Sequence, residues 1–155
     1  GKDDKTVVPG LEGRFEAGRV QRIGDGKDLL IIAMGSIAIE AVAAAEALRE
    51  KGLSCTAAIV ACVNPPPADD LAALAGRFKK VMTVEAHYIN GGLGSLVAEV
   101  IAERGLQCRL TRCGVKVPPD GSSGSQEYLH RLHGIDRRSL VETALLLCGP
   151  EGRGK

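Results

Sequence analysis

The sequence predicts one α/β domain built on a mostly parallel sheet, and three observations lead to this prediction. The length of 155 residues suits one hydrophobic core but not comfortably two. The composition, 45% hydrophobic and 25% charged, is ordinary for a globular protein. Short apolar runs alternate along the chain with segments of helical periodicity. Such alternation favours parallel strands joined by right-handed crossovers, with helices on both faces of the sheet.

Five segments are predicted to be strands. The clearest, 29–34, is a continuous apolar run, Leu-Leu-Ile-Ile-Ala-Met, which is typical of a central parallel strand buried on both faces. Segment 81–85 is also apolar and ends at an acidic residue, Glu85. The other three strands are predicted at segments bounded by turn signals, 15–23, 53–63 and 107–113.

The first predicted helix is the Ala-rich segment 37–50, with Ser36 as its N-cap and Gly52 closing it. A short helix is predicted at 71–75, after an Asn-Pro-Pro-Pro segment whose prolines force an extended chain. A third helix is predicted after the glycine-rich turn that ends at Ser95, where apolar residues recur at helical spacing.

Two more helices are predicted near the carboxyl end. Ser123 or Ser125 can cap a short helix that carries Tyr128. Asp136 can cap the last helix. Its predicted apolar stripe consists of Leu140, Val141, Ala144, Leu145 and Leu147.

We interpret residues 1–13 as a linker or arm, 14–148 as the domain, and 149–155 as a polar tail. No apolar run reaches the roughly 18 residues that a membrane span needs, so we expect no membrane partner. A formal net charge of +1 without a basic stripe argues against nucleic-acid binding. The five cysteines lack a C-x-x-C pair, which favours small buried side chains in a reduced, cytoplasmic compartment.

The richest candidate site follows the strand 81–85. Gly91-Gly92-x-Gly94-Ser95 could cradle an anion, because glycines let backbone amides approach it and the following helix dipole favours negative charge. The motif matches neither the dinucleotide nor the nucleotide loop sequences. In the alternative interpretation, the glycines only make a tight turn and allow close packing.

Glu85 and His87 lie at i and i+2 of a strand end and could form a general acid–base pair. Alternatively, the carboxylate accepts hydrogen bonds from loop amides and the histidine packs at an interface. His130 and His133 lack further ligands nearby, so we expect no metal site and interpret them as a solvated helix end.

Several motifs in order resemble the C-terminal domain of the transketolase family of thiamine diphosphate enzymes. The main one is Val84-Glu85-x-His87-x-x-x-Gly91-Gly92-Leu93-Gly94-Ser95. The resemblance covers roughly residues 14 to 147. The other similar pieces are Gly18-Arg19, Leu30-Ile-Ile-Ala-x-Gly35-Ser36, Asn64-Pro-Pro-Pro-Ala-Asp69 and Gly134-Ile135-Asp136.

The resemblance implies a three-layer α/β/α sandwich on a five-stranded mixed sheet of order 1-3-2-4-5, with the first strand antiparallel to the rest. In that order the strand ending at Met34 lies beside the one ending at Val84. Gly35 and Ser36 are then expected to form one crevice with the segment from Glu85 to Gly94, which includes His87.

The resemblance implies a piece of a two-carbon ketol transferase that acts on sugar phosphates. In such enzymes thiamine diphosphate and a divalent metal are bound by diphosphate-binding and pyrimidine-binding domains, which these residues do not include. We therefore expect this piece to hold no cofactor or metal, to carry no catalytic residue and to be inactive alone. Its expected partners are the two missing domains and, in the complete enzyme, a second copy in a homodimer.

We expect this domain to stabilise the dimer and shape the rim of the site, so Glu85→Gln and His87→Ala should disturb assembly rather than cofactor chemistry. Two alternatives remain within the resemblance: the C-terminal domain of a 2-oxo acid dehydrogenase beta subunit, or of a deoxyxylulose-phosphate synthase. A third is an independent module that binds an anion or a protein.

Overall fold

The computed structural model describes residues 7–14, 16–117 and 121–149. Its strands are β1 (Val20–Ile23), β2 (Leu29–Met34), β3 (Cys55–Val60), β4 (Lys80–Tyr88) and β5 (Arg109–Val115). Its helices are α1 (Ala38–Glu50), α2 (Ala68–Ala75), α3 (Leu93–Glu103), α4 (Gln126–Leu132) and α5 (Arg137–Cys148). A single 3₁₀ turn, Gly35–Ile37, joins β2 to α1. Among the described helices, none has the length and apolar character needed to cross a membrane.

The strands form one sheet in the order β1-β3-β2-β4-β5. β1 pairs antiparallel with β3, and the other three pairings are parallel. The strand order and the antiparallel first strand implied by the resemblance are therefore confirmed. Because the carboxyl ends of parallel strands share one edge of the sheet, the tips of β2 and β4 meet there, with Met34 opposite Glu85.

β2 is buried on both faces, as its continuous apolar run predicts. Leu29, Ile31 and Ala33 pack into one cluster with the buried faces of α1 and α5. Leu30 and Ile32 pack into a second cluster with α2 and α3. The two clusters make the sandwich three-layered, as predicted.

Helix ends depart from two of the predictions. Ser36 is not the N-cap of α1, because it lies inside the 3₁₀ turn and its hydroxyl accepts a hydrogen bond from Gln126 Nε2 at 2.9 Å. Asp136 holds the N-cap position of α5, but its carboxylate accepts from the Ser139 hydroxyl instead of a backbone amide.

A carboxylate caps α5, and a hydroxyl group caps α4. Glu40 Oε2 in α1 accepts from the Arg137 amide at 2.8 Å, so a side chain distant in sequence caps α5. Ser125, one of two candidates for α4, does cap that helix: its Oγ accepts from the Tyr128 amide at 3.2 Å.

Several element boundaries differ from the predictions, and one residue predicted to be in an apolar stripe is exposed. The first strand begins at Val20 rather than 15, and Phe15 lies outside the described residues. β3 ends at Val60, before the chain turns toward the prolines. β4 continues three residues beyond Glu85. Leu145 was predicted in the apolar stripe of α5 but is 41% exposed, because the helical period turns it away from the face formed by the other four.

The predicted domain limits, 14 and 148, stay a prediction. Within the predicted arm, Leu11 is buried and packs into the cluster that contains α1 and α5. Residues 1–6 of the arm, 118–120 of the loop before α4 and 150–155 of the tail lie outside the described part of the chain.

Asp70, in the first turn of α2, ties that helix to the start of β1. Its Oδ2 accepts from Arg19 Nε at 2.6 Å and from the Val20 amide at 3.1 Å. The hydrogen bond from the Arg19 guanidinium, followed by that from the Val20 amide, lowers the pKa of the Asp70 carboxyl. A carboxyl with a lowered pKa stabilises the fold above its unfolded pKa, and this contribution is lost as the pH falls through the folded pKa.

Asp70→Asn should therefore lower the urea midpoint at pH 7 by only about 0.3 M, since the pair is largely solvated. As the pH falls below the ordinary pKa of a carboxyl group toward the lowered pKa of Asp70, the two proteins should unfold at closer midpoints. Asp69→Asn is the matched control, because that side chain is 88% exposed and its ion pair within the described residues is with Arg104. A difference between Asp70→Asn and the parent that persists undiminished over this pH range would contradict the assignment.

Candidate functional site

Glu85 is buried at the start of α3, with 1% of its surface exposed. Its Oε2 accepts from the Leu93 amide at 2.9 Å and its Oε1 from the Gly94 amide at 2.8 Å. These amides belong to the first two residues of α3 and have no partner within the helix. The carboxylate charge also complements the positive end of the helix dipole. Glu85 thus supplies, from inside the chain, the anion that this helix terminus favours.

The glycine-rich turn is packed around that carboxylate. A Cβ at Gly92 would overlap Glu85 Oε2 and lie 2.9 Å from the carboxyl carbon. A Cβ at Gly94 would lie 2.8 Å from Arg112 Cδ and 3.0 Å from Glu85 Oε1. Two of the three glycines therefore leave room for a side chain of the same domain, which is the close-packing alternative of the sequence analysis.

Ser95 and Arg112 hold the turn from the other side. Ser95 Oγ accepts from the Gly91 amide at 2.9 Å and donates to the Ile89 carbonyl at 3.2 Å. Arg112 in β5 donates from Nη1 to the same carbonyl at 2.9 Å. The turn is thereby fixed against β5.

His87 does not share the environment of Glu85. It lies on the exposed end of β4 with Ala86 and Tyr88, while Glu85 is buried. Its ring meets the Tyr88 ring edge-on at 6.1 Å between centroids, and its Nδ1 lies 3.1 Å from the Tyr88 carbonyl oxygen. The pairing of β4 with β5 shifts register between Val84 and Tyr88. Such an irregularity re-aims side chains, which explains why residues two apart do not lie together.

Gly35 and Ser36 line a cleft together with residues of α4. A cleft of about 460 Å³ lies over them, and its opposite wall is α4, with Gln126 and His130, rather than the glycine turn. The tips of β2 and β4 are neighbours, as expected, with Met34 opposite Glu85. That Gly35 and Ser36 share one crevice with the glycine turn stays a prediction.

Sequence reasoning missed the cleft-lining role of α4. His130 was interpreted as part of a solvated helix end, but it is only 7% exposed. It lines the cleft over Gly35 and also a second cleft, of about 410 Å³, in which His133 and Ile135 take part. The signal was present in the spacing, since Gln126 and His130 are i and i+4 and so share one face of a helix.

The cysteine thiols give no sign of a reactive site. Burial raises the pKa of Cys55 to about 12 and that of Cys113 to about 11, so both remain protonated at neutral pH. The cysteines of the described chain are all free thiols.

The strand order and the helix layers define a three-layer α/β/α domain with one antiparallel edge strand. The profile of the family described as "Transketolase, C-terminal domain" matches residues 18–140. That match covers most of the chain, so the protein belongs to this family.

Three curated relatives match the chain over most of its length. The chain is 39% identical over 133 residues to one subunit of the apulose-4-phosphate transketolase of Actinobacillus succinogenes, covering 86% of the chain and 43% of that protein. It is 39% identical over 131 residues to a putative transketolase C-terminal section of Methanocaldococcus jannaschii, covering 84% and 40%. It is 33% identical over 133 residues to 1-deoxy-D-xylulose-5-phosphate synthase of Halothermothrix orenii, covering 84% and 20%. The chain spans less than half the length of each.

A solved structure described as "Split gene transketolase, inactive beta4 tetramer" is similar to this chain over most of its length. The TM-score is 0.78 at 31% identity, covering 91% of this chain and 48% of that chain. Transketolase from Leishmania mexicana, at 24% identity and a TM-score of 0.58, shows the same fold over 88% of this chain and 19% of its own.

A diphosphate group does not fit either glycine-rich turn. The amides at the start of α3 are taken by Glu85. In the Gly24–Gly26 turn, a Cβ at Gly26 would overlap the Cys55 backbone, and the Gly26 carbonyl accepts from Thr56 Oγ1 at 2.8 Å. Within the described ranges no three His, Cys, Asp or Glu side chains are grouped so as to hold a metal ion.

Proposed function

We propose that this chain is the C-terminal part of a thiamine diphosphate enzyme that transfers a two-carbon ketol unit between sugar phosphates, acts in the cytoplasm, and is inactive alone. The observation that supports this proposal most directly is the 39% identity to a transketolase subunit. The chain covers only 43% of that subunit. The part of that relative outside the match has about the length of one further domain, which is too short for both the diphosphate-binding and the pyrimidine-binding domains. Those domains, on the same or another polypeptide, would bind the cofactor and its divalent metal.

The role of this domain would be to stabilise a dimer and shape the rim of the active site. The end of β4 supports this, because His87 and Tyr88 are exposed there. Tyr128 and Leu132 in α4 are exposed as well, at 44% and 48%. Exposed aromatic and aliphatic side chains of this kind are typical of protein interfaces. The related split gene transketolase chain is described as an inactive beta4 tetramer, which supports self-association without activity.

The identity to 1-deoxy-D-xylulose-5-phosphate synthase favours a second candidate function, in which the chain is the C-terminal domain of such a synthase. The 2-oxo acid dehydrogenase alternative rests on the sequence resemblance alone. The independent anion-binding alternative is weakened at the glycine turn, where Glu85 already holds the two helix amides.

Reconstitution tests the proposal. We expect ketol transfer between sugar phosphates only when the chain is combined with the diphosphate-binding and pyrimidine-binding domains of its own enzyme. Formation of 1-deoxy-D-xylulose 5-phosphate would instead select the second candidate. The assembly without this chain is the control. Tight binding of thiamine diphosphate to the chain alone in calorimetry, or full activity of the assembly without it, would contradict the proposal.

His87→Ala adds a test of the interface. The side chain is exposed, and the contacts found for its ring within the described part of the chain are with Tyr88. The variant should therefore fold normally but weaken self-association in sedimentation experiments. Lys116→Ala, an exposed change just after β5, is the matched control.

A further inference from the structure

The cleft over Gly35 and Ser36 contains polar groups that the proposed function does not use. It lies at the carboxyl end of β2, the edge of an α/β sheet where ligands usually bind. Its volume of about 460 Å³ is in the range of small-molecule sites. The apolar part of its wall comes from Val8 and Ile39.

His130 is the most informative group in this wall. More than nine-tenths of its surface is buried, and no hydrogen bond of its ring is found within the described residues. Its nitrogens are nevertheless not among the fully buried polar atoms without a partner there, where Thr83 Oγ1 is the atom found. Because His130 lines the cleft, its ring can pair with a molecule bound there. A neutral imidazole has one donor and one acceptor nitrogen to offer to a molecule in the cleft.

Ser36 and Gln126 stand next to it as a preformed pair. Gln126 Nε2 donates to Ser36 Oγ at 2.9 Å and so fixes both side chains across the mouth of the cleft. This bond leaves the Ser36 hydroxyl hydrogen and, on Gln126, one N–H and the amide oxygen. Three neighbouring side chains therefore each present both donor and acceptor capacity. Hydroxyl groups, which also donate and accept, match this set.

The charged side chains that line the cleft make an anion an unfavourable ligand. Glu40 and Glu127 line the cleft, and among the described residues that line it there is neither a lysine nor an arginine. Glu40 uses one carboxylate oxygen for the Arg137 amide and keeps the other for a further donor. Carboxylates accept hydrogen bonds from hydroxyls and repel phosphate.

We propose that this cleft binds a small uncharged polyhydroxylated compound through Ser36, Gln126 and His130. The ligand's hydroxyls pair with the three side chains, and its C–H groups pack on Val8 and Ile39. This site needs neither the missing domains nor the cofactor, so it can be tested apart from the proposed function.

The test is a titration of the 155-residue chain followed by two-dimensional NMR. Xylitol and free ribose should shift the signals of Ser36, Gln126 and the His130 ring saturably. Inorganic phosphate and putrescine, the anionic and cationic probes, should not shift these three together.

Variants that avoid the buried histidine keep the test independent of folding. Gln126 is exposed, and Gln126→Ala should weaken xylitol binding about fivefold, the effect of one neutral hydrogen bond. Arg131→Ala, an exposed change on the same helix outside the cleft, should leave binding unchanged. The proposal is overturned if neither polyol gives saturable shifts, if phosphate or putrescine binds more tightly, or if Gln126→Ala binds like the parent.

Discussion

Gly92→Ala is expected to destabilise the domain by about 3 kcal/mol or more, enough to prevent folding if the parent is marginally stable. The backbone of Gly92, at φ −104°, is open to any residue, so the cost comes from space alone. The new methyl group would overlap Glu85 Oε2, which is buried and held by two helix amides. Urea unfolding followed by circular dichroism measures the change.

Gly91→Ala is the matched control in the same turn. Nothing lies within 4 Å of a Cβ at Gly91, but its φ of +79° is one that side chains rarely adopt. That variant should cost about 1 kcal/mol, the usual strain of a left-handed residue. Equal costs for the two alanine variants would show that backbone conformation, rather than the carboxylate, explains both glycines.

Glu85→Gln is expected to cost about 2–3 kcal/mol, because a neutral amide replaces a buried charge that accepts two hydrogen bonds. Glutamine can accept from only one of the Leu93 and Gly94 amides through its oxygen, so its own NH₂ group faces the other donor. Hydrogen exchange should show faster opening at the start of α3 than in β2. Unchanged protection of those two amides would refute the capping role and leave the predicted effect on assembly as the remaining account.

A double-mutant cycle joins the two predictions. Glu85→Ala removes the atoms that a methyl group at Gly92 would overlap. Adding Gly92→Ala to that background should therefore cost much less than in the parent, giving a coupling energy of about 2 kcal/mol. Simple additivity would mean that the two residues act through different contacts.

The sequence predicted the core of the fold well where burial is reflected directly in composition. β2 was predicted with its observed ends, Leu29 and Met34, because a strand covered on both faces must be apolar throughout. The ends of β4 and β3 were harder to predict. His87 and Tyr88 stay in β4 through pairing with β5, where Tyr88 is opposite Val115, and a partner strand leaves no mark on the local sequence.

The sequence predicted that Glu85 and the glycines lie close together, but it did not predict how their atoms are arranged. Glu85 and the glycines do meet, yet an anion site and an internal cap require the same residue types, so composition could not separate them. Which residues line the cleft over Ser36 depends on where α4 packs. Its contact with Ser36 joins residues 90 apart in sequence, and no periodicity along the chain could reveal it.

The internal carboxylate has a consequence for how glycine-rich helix entrances are interpreted in other α/β chains. Here an acidic residue stands eight positions before the first residue of the helix, at the end of the preceding strand. At that spacing the chain can fold back and neutralise its own helix terminus, competing with any phosphate from solution. An acidic residue at this position is thus a reason, from sequence alone, to set aside a nucleotide-loop assignment. Replacing it with a small neutral residue would leave the helix amides free to bind a ligand.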